Sequence, residues 1–372
     1  MYHNLQVLAA RHRVTLVFFI EQEAERRHVK PLEAMGIDVT AVLRRPEPER
    51  NLWVARPREH AEFSSPELHE VVRRKASQQQ FDVIQVEYLQ MAQHVPPNSR
   101  ALKILTEHEV MFETFRNTLI HETRFWRKPR GFYDWLVQFN YEVRVCRRFE
   151  RVACMTDADR AILERFVSPS LLRTVPIGVD SSYFDPSQVP EVSENSLQVL
   201  FVGNYRHPPN RDAVYFFSNE ILPGVLAHIP QAEFCVVGGN TDALDRKRLD
   251  PSKGVRVAGY VDDVRNAYRN AAVFVAPIRT GTGMRVKLLE ALSMGMAVVA
   301  TPLAAQGFRA DREEALLVAG DPESFALQTV RLLRDEALRR TLGTLARQMI
   351  LERYDWPVVE RKFLSLVENG HG

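Results

Sequence analysis

Cysteine is scarce in this chain of 372 residues: only Cys146, Cys154 and Cys235 occur, and they are scattered. Three such thiols exclude a disulfide framework and a zinc site, so a reducing, cytoplasmic setting is expected. Long apolar runs are lacking too. The stretch Val14–Ile20 falls well short of the roughly 20 residues that cross a bilayer. No cleavage site follows it, so it reads as a strand rather than a signal peptide. An excess of one charge is also missing: 49 Lys and Arg stand against 47 Asp and Glu, a formal net charge of +2. That excludes the strongly basic footprint of a dedicated nucleic-acid binder. Neither a sequence repeat nor a low-complexity tract is present. What remains is an ordinary globular composition, 45% hydrophobic and 26% charged. The chain is longer than one core usually fills, so two domains are expected.

Short β-branched runs alternate with helix-patterned segments, the signature of stacked βα units and a parallel sheet. Expected strands in the first half are Val14–Ile20, Asp38–Leu43, Val83–Val86, Lys103–Thr106 and Val152–Met155. In the second half they are Gln198–Gly203, Glu233–Gly238, Val255–Ala258, Ala272–Ile278 and Ala297–Thr301. Pro176–Asp180 and the polar stretch Ser187–Ser196 offer almost nothing to a core, which places the domain junction near residue 180. The reading is an α/β chain of two Rossmann-like domains. Residues 1–178 form the first, 179–355 the second, and 356–372 a final helix returning to the first. Ligands of such sheets bind outside the carboxyl ends of the strands, so the cleft between the lobes is the expected active site.

Phe274–Gly295 carries the most chemistry. A buried-type strand ends at Pro277, a loop containing Gly281, Thr282 and Gly283 follows, and a helix is expected from about Met284 to Met294. Glycines let the backbone approach an anion closely, and a helix start adds unpaired N–H groups and positive dipole. Gly283, Lys287 and Glu290 fall at i, i+4 and i+7 and so share one helix face. Lys287 and Glu290 are separated by a rise of roughly 4.5 Å, about the offset between a diphosphate and its ribose. A carboxylate there can accept two hydrogen bonds from a cis-diol. The plainer reading is a solvated i,i+3 ion pair on an exposed face. The preceding glycine loop favours the first.

This stretch resembles the donor site of glycosyltransferase family 4, whose members have the GT-B fold. Val199–Asn210, Phe234–Gly239, the turn Gly259-Tyr260-Val261-Asp262 and the segment Pro176–Phe184 match in order and spacing. The second half matches by motif and the first more by pattern. The resemblance implies transfer of a hexose from a nucleoside-diphosphate sugar, with retention at the anomeric carbon, no metal and no cofactor beyond the donor. It implies that Lys287 and Arg285 neutralise the leaving diphosphate, Glu290 holds the ribose, Gly281, Thr282 and Gly283 admit the phosphates, and Gly259 and Tyr260 lie against the base. Two departures stand out. The family often has a glutamate at the position of Thr282, and its basic pair maps on to Asn204 and Asn210. Gly203 marks the second phosphate-approaching turn, and Arg206, Arg211 or Arg285 could replace the missing charge. Each reads equally as a solvated surface arginine.

In the first half, Thr106-Glu107-His108-Glu109 ends an expected strand. The resemblance implies that a histidine there contacts the transferred sugar, so His108 is a candidate to orient a hydroxyl or carry a proton. Glu107, Glu109 and Glu87 are weaker companions. Asp157-Ala158-Asp159 mimics a metal-binding Asp-x-Asp, but it precedes a helix, where acidic side chains cap free N–H groups; no metal is expected. Arg124–Arg151 mixes basic and aromatic residues, which suits either an ordinary amphipathic helix or peripheral contact with an anionic membrane carrying a lipid-linked or glycan acceptor. The resembling family also has a strand and a glycine-containing loop ahead of the position of Val14. The expectation is therefore a shortened chain whose first domain lacks its first strand. Competing readings are a sugar-nucleotide epimerase of the same fold and a non-catalytic nucleotide-sugar binder.

Overall fold

A computed structural model describes residues 1–45, 57–122, 124–190, 196–281, 285–308 and 315–368. The chain divides into two compact units. One comprises 1–155, 159–175 and 360–372, the other 156–158 and 176–359.

In the first unit the strands are β1 (Thr15–Ile20), β2 (Asp38–Leu43), β3 (Val83–Glu87), β4 (Leu102–Glu107), β5 (Arg151–Cys154) and β6 (Leu172–Thr174). All its ladders are parallel, as βα repeats require. They form two separate sheets, β1-β2 and β3-β4-β5-β6. Between them lies a cavity of about 630 Å³, lined among others by Leu5, Leu8, Thr15, Leu16, Val83 and Gln85. The core of this unit gathers Val86, Leu105, Phe112, Val143, Cys146 and Val152 with their neighbours.

The second unit holds β7 (Gln198–Val202), β8 (Glu233–Val237), β9 (Val255–Gly259), β10 (Val273–Ala276), β11 (Ala297–Ala300) and β12 (Leu317–Val318). They make one parallel sheet in the order β12-β11-β10-β7-β8-β9. β10 and β11 are buried at every residue, which explains their continuous apolar runs: helices cover both faces, so no alternation is needed. The long core of this unit runs from Val199–Val202 through Phe217, Phe234 and Phe274 to Leu332 and Met349.

The expected strands lie where the apolar runs placed them, with ends shifted by a residue or two. β6 and β12 were not anticipated, because three and two residues are too few to make a pattern. The helix expected from about Met284 begins at Val286 and ends at Ser293, with Arg285 as its N-cap. Thr282, Gly283 and Met284 lie outside the described residues.

Candidate functional site

The order of the second sheet locates its crevice. From β7 the chain builds outward to β8 and β9, then returns to place β10, β11 and β12 on the other side. The carboxyl ends of β7 and β10 therefore border the switch point, where open α/β sheets receive ligands. The loop after β7 begins at Gly203, whose N–H donates to Val237 O. It lies hard against the loop after β8: a Cβ on Gly238 would sit 1.9 Å from Gly203 O, and Gly238 has φ +134°. Only glycine permits both that approach and that backbone. Asn240 Nδ2 donates to Asn204 Oδ1 at 3.0 Å, and Asn210 Nδ2 donates to Asn204 O at 2.9 Å. Asn204 and Asn210 thus brace the loop.

The loop after β10 closes the other side. Gly281 adopts φ +83°, and a Cβ there would lie 3.5 Å from both Pro209 and the Arg285 guanidinium. Arg285 Nη2 donates to Gly281 O at 2.8 Å and to Thr280 O at 3.4 Å, so this cation is folded over its own loop. Arg211 is likewise engaged, through Tyr205 O at 3.0 Å and Arg206 O at 2.9 Å. The Arg206 side chain is exposed. Gly259, at φ +80°, ends β9 and accepts from Gly238 N–H; Tyr260 beyond it is 75% exposed.

Lys287 and Glu290 meet one turn into helix Val286–Ser293. Lys287 Nζ lies 2.9 Å from Oε1 and 3.0 Å from Oε2 of Glu290. They are the i,i+3 pair of the plainer reading, but only the lysine is solvated: Glu290 is 5% exposed. From the interior, the Tyr268 hydroxyl donates to Glu290 Oε2 at 2.9 Å. Burial, followed by the charge of Glu290, pushes that phenol well above its ordinary range, so it stays a donor. The carboxylate is thereby held in one orientation from behind, while the Lys287 side chain is 46% exposed and able to turn toward an incoming anion. Tyr268, on helix Val264–Asn270, carries no motif of its own, and its part was not readable from sequence.

In the first unit, Glu87 ends β3 and His108 follows β4 on the neighbouring strand. His108 Nε2 is 2.7 Å from Glu87 Oε2, and the Tyr88 ring stacks on the imidazole with centroids 4.0 Å apart. The same unit holds two buried carboxyls, Glu142 and Glu107. Glu142 accepts from the N–H groups of Met111 (3.0 Å) and Phe112 (2.9 Å) at the start of helix Met111–His121, and from Gln138 Nε2 (3.0 Å). Burial pushes its carboxyl up to about 8 despite those donors. Glu107 Oε2 has no hydrogen-bond partner among the described residues, and burial beside Glu142 holds that acid well above the usual carboxylate range. Asp157 and Asp159 open helix Asp157–Leu163, and no metal-holding cluster occurs among the described residues.

With this geometry in view, the comparisons are specific. Residues 196–335 match the family model for glycosyl transferases group 1. A phosphatidyl-myo-inositol mannosyltransferase of Mycolicibacterium smegmatis is 33% identical over 206 residues, 53% of this chain and 52% of that protein. The chain therefore aligns with about half the length of this relative. Among solved structures, sucrose-phosphate synthase from Thermosynechococcus elongatus superposes with TM-score 0.70 at 18% identity, covering 96% of this chain and 99% of that one. The Anabaena protein HepE in complex with UDP gives TM-score 0.69 at 12% identity, covering 98% and 94%. The fold is GT-B. No helix among the described residues is long and apolar enough to cross a membrane.

Proposed function

We propose that the chain is a hexosyltransferase that moves a sugar from a nucleoside-diphosphate donor to a glycan or lipid-linked acceptor, with retention, without a metal and with no cofactor beyond the donor. The observation that carries the reading is the Lys287–Glu290 pair on the helix that starts at the switch-point crevice, held from behind by Tyr268 of helix Val264–Asn270. Bond cleavage leaves negative charge on the diphosphate, and fixed donors with a nearby cation stabilise what develops. Lys287 and Arg285 are assigned to that charge, Glu290 to the ribose, and Gly203, Gly281, Thr282 and Gly283 to the phosphates. Arg206 is a further candidate cation, and Gly259 with the exposed Tyr260 offers a face for the base. His108 is assigned to a hydroxyl of the sugar or the acceptor. The UDP complex of HepE and the mannosyltransferase relative support a nucleotide-sugar donor.

The test is a thermal-shift panel of UDP-, GDP- and ADP-sugars on the wild type, Lys287→Ala and Glu290→Ala. One donor should raise the melting temperature of the wild type, and both substitutions should weaken that response. If neither does, the assignment fails.

The same reading places the protein at the cytoplasmic face of a membrane. Phe125 (76% exposed) and Trp126 (65% exposed) project from the segment before helix Lys128–Cys146, with Phe132 and Tyr133 on its first turns. Arg124, Arg127, Lys128 and Arg130 lie exposed beside them in sequence, Arg127 and Arg130 in ion pairs with Glu122 and Asp134. Exposed aromatic rings next to cations suit an anionic lipid surface. Co-sedimentation with phosphatidylglycerol vesicles, absent with phosphatidylcholine and lost in Phe125→Ser/Trp126→Ser, is the expected result. Equal binding to both vesicles, or none, would remove this surface from the reading.

A further inference from the structure

We infer that Glu87 is the positioning residue for His108, keeping the imidazole proton on Nε2 so that the histidine meets a substrate hydroxyl through Nδ1. The inference rests on the proposed function only for what Nδ1 meets; the arrangement itself is read from the first unit.

Glu87 pairs in register with Thr106, so Glu87 and His108 leave the carboxyl ends of adjacent parallel strands. Their contact, Oε2 to Nε2 at 2.7 Å, is shielded: the side chains are only 25% and 21% exposed. The other carboxylate oxygen, Oε1, accepts from Gln85 Nε2 at 2.6 Å and from Thr106 Oγ1 at 3.4 Å. With both oxygens engaged, the carboxylate cannot turn away. An ionised carboxylate only accepts, so Nε2 must carry the hydrogen, and in the neutral ring the lone pair then lies on Nδ1.

Tyr88 fixes the plane. Its ring lies nearly parallel to the imidazole, at 22° and 4.0 Å. The backbone reaches this pose through φ 72° and ψ 137°, a conformation an aromatic residue does not take without compensation. The pairing survives the kink, because Tyr88 N–H still donates to Thr106 O at 3.2 Å. One edge of the imidazole is therefore bonded and one face covered, which leaves Nδ1 to accept from a hydroxyl. Strain of this kind concentrates where a side chain must be aimed.

The test uses the ligand-free, full chain labelled with ¹⁵N-histidine. Long-range ¹H–¹⁵N correlation should show His108, assigned by the loss of its signals in His108→Gln, as the Nε2–H tautomer with a slowly exchanging ring proton. Glu87→Gln retains an accepting oxygen and should keep that proton visible. Glu87→Ala should lose it to exchange with water. In donor turnover, Glu87→Ala should lower kcat roughly tenfold and leave donor KM unchanged, and should cost nothing further in a His108→Ala background. An Nδ1–H pattern in the wild type, or a protected proton unaffected by Glu87→Ala, overturns the inference. The spectra need no turnover, so a chain that processes no nucleotide sugar would defeat the proposed function and leave this result intact.

Discussion

Glu142 and Glu107 make the stability of the first unit depend on pH in a direction opposite to that of ordinary surface acids. Burial raises Glu142 from 4.5 to about 8, and Glu107 is raised well above its ordinary value as well. Between about pH 5 and 8 the folded unit holds the Glu142 proton that the unfolded chain has released, and Glu107 shifts stability in the same direction. Stability is therefore greatest at the acid end of that window and falls as pH rises, by about 1.4 kcal/mol per pH unit for each retained proton. Across the window Glu142 alone contributes about 4 kcal/mol. Hydrogen exchange gives a local readout that does not require the whole chain to unfold in one step. After correction for intrinsic rates, protection of the helices Met111–His121 and Lys128–Cys146 should fall between pH 5.5 and 7.5. The slope should approach about tenfold per pH unit for the Glu142 proton and be steeper wherever Glu107 retains its own. Glu142→Gln cannot ionise. It loses one of two backbone hydrogen bonds and starts from a lower plateau, so the slope and not the plateau is the measure. That slope should fall in Glu142→Gln and vanish in the Glu142→Gln/Glu107→Gln double variant. A wild-type slope surviving in Glu142→Gln would refute the argument.

Gly238→Ala would drive a Cβ to 1.9 Å from Gly203 O at φ +134°, and a loss on the order of 3 kcal/mol is expected in denaturant titration; Gly239→Ala, with open space around it, should cost little. Tyr268→Phe removes the hydroxyl that donates to buried Glu290, so a loss of about 1–3 kcal/mol in stability should accompany a smaller thermal shift with the preferred nucleotide sugar. Tyr88→Gly relieves a left-handed tyrosine, worth about 1–3 kcal/mol, against a glycine penalty of roughly 0.5–1 kcal/mol. Denaturation should show the first unit unchanged or steadier, while donor turnover falls.

The strands were legible because burial writes them into composition. β10 and β11 read as unbroken apolar runs since both faces are covered, and β7 and β8 likewise. β12 was not, because its two residues pair only with β11 and need no pattern of their own. In the site, spacing placed Lys287 and Glu290 on one helix face, but not the depth of Glu290, which depends on Tyr268, 22 positions away. Nor does a local motif say that Arg285 turns back on Gly281 O, since that follows from the turn of a glycine backbone in three dimensions. The left-handed Tyr88 is the least legible of all: tyrosine is a good strand former, and nothing around it signals a positive φ.

The division of the first unit's strands between two sheets bears on how the chain comes apart. Hydrogen bonds run unbroken across six strands in the second unit, so loosening any one strand loosens its neighbours, whereas in the first the relay stops at a void. Heat should accordingly find a weak seam there: the pair β1-β2 can part from the remaining four strands without any ladder being cut. A calorimeter should record an early, shallow transition belonging to that pair, followed by the steeper melting of the continuous sheet.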